Sequence, residues 1–408
     1  MDLSEYDDYL KEFYLPAARE QFLKQTILLD SKVITRDSEN VSGKTAYIAI
    51  EGLSFAGVGA RADGSATLPT PVKGKYGRIG VGMSYQYAAM EITGPTLAAS
   101  RNDRGAFESA MTSETSTKLR AFNMDINRQL FDDGNGILCL VDGTPDLATG
   151  VITIDAAWGL ANDTNGDKFL SDGCRLDIYS PSGTKRGTCQ VTALTEGSGS
   201  STSATITVDA VPDGTADGDY IYRELGYGNE MAGLRSFAST TSTLFGVSPT
   251  NFRDWKAVVK TGATTGTNQP LTQFRMEQVR SDMFHKRGRK CKFLIAGPGV
   301  VMTFADIASR GGIMVNKAKV GMTDWEGPDW GGRAIIEDSF CHPNRMYFID
   351  PDPFDIFQMN EPDWLMGHGS SILYRYADIY RADYGWYCIP ALSVRGACGV
   401  LQDITELS

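Results

Sequence analysis

Apolar and polar residues alternate along residues 78–87. Ile79, Val81, Met83, Tyr85 and Tyr87 hold every second position, with Arg78, Gly80, Gly82, Ser84 and Gln86 between them. A period of two places the first set on one face of a strand. Upstream, residues 46–55 are β-rich as well (Tyr47, Ile48, Ile50, Leu53, Phe55), and a change of phase near Glu51 and Gly52 predicts a bulge. Asp63-Gly64, Pro69, Pro71, Gly74 and Gly77 lie between the arms and suit a flexible loop. The pattern predicts one long hairpin over residues 46–93. An isolated ribbon is marginal in water, and its open edges invite pairing with other chains.

A second period follows. Phe107, Met111, Thr115, Leu119, Phe122, Ile126 and Leu130 succeed one another at steps of three or four, which predicts a single amphipathic helix over residues 101–133. Ser100 and Asp103 stand at capping-box spacing. Asp132-Asp133-Gly134-Asn135-Gly136 ends the helix with residues that tolerate left-handed geometry. Thirty-odd residues make a rod on the order of 50 Å, against about 11–12 residues for a typical globular helix. Ser113, Thr115, Ser116 and Thr117 interrupt any sustained heptad, so a coiled coil is disfavoured. Neither the ribbon nor the rod is expected to bury itself within a compact monomer, which points to a fold completed by its neighbours.

Residues 1–45 are expected to form an arm. Leu3, Tyr6, Leu10, Phe13 and Tyr14 can share one face before Pro16, while Leu28, Leu29, Val33 and Ile34 have no evident core of their own. Residues 138–224 break into short β-rich runs separated by Asn165-Gly166, 181–183, 197–201 and Pro212-Asp213-Gly214, which predicts a small sandwich or barrel. Residues 225–333 read as mixed α/β. Pro249 opens a predicted helix through Lys260. Pro270 opens another, with Leu271, Phe274, Val279 and Met283 inward and Gly288 as its stop. Residues 291–296 read as a buried strand, and Pro298 opens a third helix ended by Gly311-Gly312. Residues 334–406 are mostly strand, with runs at 334–336, 346–349, 355–358, 372–380 and a last one through Val400. Tyr374, Tyr376, Tyr380, Tyr384, Trp386 and Tyr387 crowd this part and read as packed sheet residues rather than a stacking platform.

The 408 residues suffice for two or three domains, and 42% apolar with 22% charged residues is ordinary for a folded soluble protein. A net charge of −11 argues against nucleic-acid binding by bulk charge. Residues 138–224 carry 13 acids and 5 bases, a net of −8, against 37 and 34 elsewhere, a net of −3; this segment is a distinct acidic module. Seven dispersed cysteines without a CxxC pair fit reduced thiols. The acidic start of the chain does not fit a signal peptide, and no run approaches the ~18 apolar residues of a membrane span.

Enzyme signatures come close and fail. Gly43-Lys44-Thr45 ends like a phosphate loop, but that pattern needs Gly at position 38 and Ser38 is there. Gly57-x-Gly59-x-x-Ala62 is followed by Asp63-Gly64-Ser65, Pro69 and Pro71, which cannot open a phosphate-binding helix. Asp163-x-Asn165-x-Asp167 opens like a calcium loop, but Lys168 and Cys174 occupy its sixth and twelfth positions; a surface turn is the default over a weak cation site at 163–167. His285, His342 and His368 lie in no metal motif, and no GxSxG occurs. The basic run 285–290 suits a solvated helix end better than a phosphate site. No catalytic, cofactor or metal residue is expected, and the chain reads as structural rather than enzymatic.

The order of parts resembles the major capsid protein of tailed bacteriophages, the Hong Kong-97-type fold. The 46–93 hairpin is similar to that family's extended loop and 101–133 to its spine helix. Asn229-Glu230-Met231-Ala232-Gly233-Leu234 resembles the return from an inserted β module. The resemblance implies an α+β fold divided into an N-terminal arm (1–45), extended hairpin loop (46–93), spine helix of the peripheral domain (94–137), all-β insertion (138–224), axial domain (225–333), and remaining axial and peripheral strands (334–408). It implies pentamers and hexamers closing an icosahedral shell around double-stranded DNA in the virion, assembled in the host cytoplasm. The implied partners are other copies of the chain, a separate scaffolding protein, a portal, a possible decoration protein and DNA by non-specific contact, with no membrane. An encapsulin-type compartment on the same fold, and a glycan-binding protein acting through 138–224, are the alternatives. The sequence identifies no competent Lys–Asn pair for covalent cross-linking.

Overall fold

The computed structural model describes residues 26–52, 58–61, 63, 70, 73, 75–93, 95, 104–160, 166–197, 203–252, 255–262, 267–310, 317–321, 323–365, 374–376 and 378–406. The chain divides into two compact units: Met1–Arg128 with Ser236–Ser408, and Gln129–Arg235.

The larger unit begins with a buried turn, Ile27–Leu29, and strand β1, Thr35–Asp37, which pairs in parallel with Phe354–Gln358. Leu28, Leu29 and Ile34 thus find a core from sequence some 320 positions away. Strands β2 (Val41–Ser42), β3 (Thr45–Gly52) and β4 (Lys75–Gly82) form an antiparallel sheet, with β3 and β4 in unbroken register from Thr45↔Gly82 to Gly52↔Lys75. The expected bulge at Glu51 and Gly52 is absent from that ladder. Ala46, Ile48, Ile50, Ile79 and Val81 are buried, and the ring of Phe252 packs beside Gly77. The described arms of the hairpin therefore bury one face within the chain itself, contrary to expectation. Most of the loop between them, and all of residues 1–25, lie outside the described residues.

The return arm also ends sooner than the alternation suggested. Met83 stands between β4 and β5 (Ser84–Thr93), and β5 leaves the hairpin to pair with a strand at Ile379–Leu392. The phase of burial reverses at that step. Ile79, Val81 and Met83 are buried, but Tyr85 and Tyr87 are exposed, while Ser84, Gln86 and Met90 turn inward. Helix α1 follows as Arg104–Phe131, with Thr115, Leu119, Phe122, Ile126 and Leu130 buried along the expected stripe. Ser100, Asp103 and the side chains of Phe107 and Met111 are outside the described residues. Gly134, at φ +87°, supplies the left-handed turn just past the helix end.

The smaller unit is a closed barrel. Its strands are β6 (Ile137–Val141), β7 (Val151–Asp155), β8 (Arg175–Tyr179), β9 (Lys185–Thr195), β10 (Ala204–Val208) and β11 (Tyr220–Arg223), in the order β10-β7-β6-β11-β8-β9. Alternate residues fill it, including Leu138, Ile152, Ile154, Leu176, Ile178, Val191, Ile206 and Ile221.

Back in the larger unit, no helix forms among the described residues of 249–260. Strand β12, Val258–Lys260, pairs there in parallel with β22, Cys398–Leu401. Its partner lies about 140 positions away, so local pattern could not reveal it. Helix α2, Gln273–Arg287, starts where Thr272 accepts a hydrogen bond from the Arg275 N–H and stops at Gly288, φ +65°. Leu271, Met276, Val279 and Met283 are buried, but Phe274 points outward at 70% exposure. Strands β13 (Phe293–Ala296), β16 (Ile335–Glu337) and β17 (Met346–Ile349) complete a five-stranded sheet, β12-β22-β17-β13-β16, flanked by the two-stranded pair β14 (Lys317–Lys319) and β15 (Glu326–Pro328). Helix α3, Pro298–Arg310, adds Val300, Val301 and Phe304 to the core formed by α2 and this sheet. At Gly399 a Cβ would sit 2.7 Å from Met283 Sδ, so the missing side chain is what lets α2 lie on β22.

The other large sheet joins β1, β5, β18 (Phe354–Gln358), β19 (Asp363–Leu365), β20 (Tyr374–Tyr376) and β21 (Ile379–Leu392). The expected strand at 372–380 is thus divided between β20 and the start of β21. Strand β21, 14 residues long, is its spine: β5 borders it on one side, and β20, β19 and β18 succeed one another on the other. Pro390 is accommodated because β5's ladder ends at Cys388.

Candidate assembly surface

The sheet built on β21 has two unlike faces. Ala382, Tyr384 and Trp386 share one face with Gln86, Ala88 and Met90. Helix α1 covers it: Phe122 meets Tyr384 edge-on at 5.5 Å, and Thr115 contacts the Met90 sulfur at 3.6 Å. Trp364 packs on Tyr384, and Trp386 donates to Gln358 at 3.1 Å with Arg36 over its ring. Tyr384 and Trp386 are accordingly packed sheet residues. The opposite face shows Tyr85, Tyr87 and Tyr387, whose rings meet edge-on at 5.3 and 5.9 Å. Register sets Gly385 beside Tyr87, and a cavity of about 300 Å³ opens there between Tyr387, Leu365, Asp363 and Glu361.

Other exposed apolar residues of this unit lie on the hairpin, on the two short helices, and at Met124 on α1 and Met359 after β18. Tyr76 is 72% exposed on β4, and Arg78 lies 3.7 Å over the ring of Tyr47 on the adjoining strand. Phe274 and Phe284 project from α2 and Met302 from α3. A single exposed hydrophobic is ordinary, but groups of aromatics on sheet and hairpin faces suit contact with protein.

The buried polar side chains include two groups in the larger unit that the sequence did not signal. The Arg395 guanidinium donates to the carbonyls of Ser236, Phe237 and Ser242 at 2.6–2.9 Å. Burial lowers its pKa to about 10. Asn123 and Asn127, beside the apolar stripe of α1, line a cavity of about 340 Å³ together with Asp338, to which Asn127 donates at 3.1 Å. Their spacing of four was the only visible signal, and it was masked by the adjacent Phe122 and Ile126.

In the barrel unit, Asp177 is fully buried and accepts from Thr188 at 2.6 Å, Lys185 at 2.8 Å and the Leu225 N–H at 3.0 Å. Burial alone would raise its pKa, but the bonds from Lys185, Thr188 and Leu225 hold it below the usual carboxylate range. Beside it Tyr179 stacks on Tyr227 at 4.4 Å.

The enzyme-like motifs resolve into turns and helix ends. Gly43, at φ +62°, and Lys44 form the tight turn between β2 and β3, with no helix behind them. Asp163, Asn165, His368, Gly57 and Ala62 lie outside the described residues; Asp167 accepts from the Gly197 N–H at 3.3 Å. His342 is buried against the Tyr347 hydroxyl at 3.1 Å, and His285 is exposed at the end of α2. Of the basic run and its flank, Lys286 pairs with Asp282, Arg289 with Asp350 and Lys292 with Asp352. Burial pushes the thiols of Cys189, Cys291 and Cys398 up to about 12, which leaves them protonated and unreactive at neutral pH. Among the described residues no group of three or more His, Cys, Asp or Glu is placed to hold a metal.

No protein-family model and no curated protein matches the chain. Solved structures do. A chain of the cyanophage A-1(L) capsid asymmetric unit is 12% identical with a TM-score of 0.51, and the match covers 92% of each chain. The capsid of a native GTA particle matches at 8% identity and TM-score 0.49, over 93% of this chain and 91% of that one. The holo-SrpI encapsulin complex of Synechococcus elongatus PCC 7942 matches at 10% and 0.44, over 96% and 97%. The fold assignment rests on the first: this chain has the α+β major capsid protein fold of tailed phages.

Proposed function

We propose that the chain is the structural subunit of a tailed-phage capsid, assembling as pentamers and hexamers into an icosahedral shell around double-stranded DNA. The carrying observation is that the similarity to a capsid chain spans 92% of both molecules. The exposed tyrosines of β4 and β5 and the outward phenylalanines of α2 supply surface for subunit contacts. The barrel, taken as the inserted module, belongs on the outer surface, where a net charge of −8 over residues 138–224 is readily solvated. The working domain division follows the sequence: arm 1–45, extended loop 46–93, spine 94–137, insertion 138–224, axial domain 225–333, and closing strands 334–408. A scaffolding protein, a portal and a decoration protein are the further partners this role calls for.

Sedimentation of the purified chain tests the role. Capsomers or closed particles are expected, and a strictly monomeric folded species across the micromolar range would refute it. Particles purified from infected or expressing cells carry the second discrimination: packaged double-stranded DNA supports a virion shell, and a single enriched enzyme cargo supports an encapsulin-type compartment instead.

A further inference from the structure

One cleft is lined by groups whose hydrogen bonds are unmade among the described residues. It lies beside the C-terminal half of α1, wholly within the larger unit, with a volume of about 340 Å³. Thr26, Asn123, Asn127 and Asp338 belong to its buried lining, and Arg120, Met124 and Glu337 to its exposed lining. Asn123 is 1% exposed, yet among the described residues neither its amide nitrogen nor its amide oxygen has a partner. Asn127 gives its nitrogen to Asp338, and among the described residues its Oδ1 and the Thr26 hydroxyl have no partner. All three side chains are more than nine-tenths buried. Buried polar atoms are ordinarily satisfied, so several unmet ones together mark a place where something else supplies the partners.

The unmet set is one amide NH₂, one hydroxyl and two amide oxygens. Those four groups are neutral; the Asp338 oxygens already accept from Asn127 and from the Phe340 N–H, and the charged Arg120 and Glu337 are at the exposed side of the cleft. Such a set suits another amide better than an ion. A primary amide can pair with a peptide N–H and C=O together. Spacing points the same way. Four residues of helix advance about 6 Å. Two residues of extended chain advance about 6.6–6.8 Å. Asn123 and Asn127 therefore recur at close to the interval at which an extended backbone presents polar groups to one side.

We infer that this cleft receives an extended backbone segment from a second copy of this chain, held by the side-chain amides of Asn123 and Asn127. The choice of a second copy rests on the shell function proposed above, in which every subunit packs against others of identical sequence. The cleft adds where one such contact is made and by what chemistry.

The test is Asn123→Leu in the full chain, with Asn123→Ala for the case in which leucine does not fit. Leucine is close in size and removes an unmet polar group, so the free subunit keeps or raises its thermal midpoint. The concentration needed for assembly rises about tenfold or more, the effect of one or two hydrogen bonds lost at every contact. A density map of wild-type particles shows main chain of a neighbouring copy within hydrogen-bond distance of Asn123. Wild-type assembly together with unchanged assembly of both variants, or a map with only water or the same subunit in the cleft, would overturn the inference alone. Failure of the wild-type chain to assemble would overturn the shell function and this inference with it.

Discussion

The side-chain nitrogen of Asn127 lies 3.1 and 3.2 Å from the two carboxylate oxygens of Asp338, joining positions 211 residues apart. It ties the long helix to the segment after β16, and both residues are buried. Asn127→Leu is expected to lower unfolding free energy by about 2–3 kcal/mol, because a buried carboxylate loses a donor. Urea denaturation of the larger unit measures it; an unchanged midpoint would show that the tie contributes nothing.

Phe122 ties the same helix to the β21 sheet through Tyr384. Phe122→Ala should cost about 3–5 kcal/mol. Phe122→Asp should cost more, since an unpaired charge would be placed in a packed face. Soluble yield and thermal midpoint are the readouts, and a soluble, cooperatively melting Phe122→Asp protein would contradict the packing described.

The stripe that holds Phe122 was legible because helical spacing is local. So were the stop at Gly288 and strands 346–349 and 355–358. Three things were not. Strand β12 owes its existence to β22 about 140 positions on, and its own residues read equally well as a helix behind Pro249. The burial reversal at Met83 was hidden because Tyr85 and Tyr87, though aromatic, face outward, so apolar identity no longer reported the buried face. The cleft was hidden because an asparagine beside an apolar stripe looks like the polar edge of a helix until Asp338 is placed opposite it.

Arg395 binds three carbonyls of residues 236–242, the segment that begins the second part of the larger unit. Arg395→Met leaves those acceptors buried without donors and should cost about 3–5 kcal/mol. Arg395→Lys keeps the charge, but its single ammonium cannot span the fork, so an intermediate loss is expected. Equal stability of the methionine variant and wild type in guanidinium titration would refute the clamp.

Asp177 makes the barrel acid-sensitive. Its folded-state pKa lies below that of the unfolded chain, about 3.9. Its stabilisation is therefore fully present above that value and is lost as pH falls through the depressed folded pKa. Barrel stability should decline below about pH 4. Asp177→Asn should be less stable at pH 7 and show a flatter acid limb, as followed by tyrosine fluorescence between pH 7 and 2. An acid limb identical to wild type would place the sensitivity elsewhere.

The central claim is that this chain builds shells. Electron microscopy of the purified protein, at concentrations from sub-micromolar to tens of micromolar, tests it most directly. The expected result is pentameric and hexameric capsomers, or closed particles with icosahedral symmetry. Uniform monomers that are folded by circular dichroism and never associate across that range would contradict it.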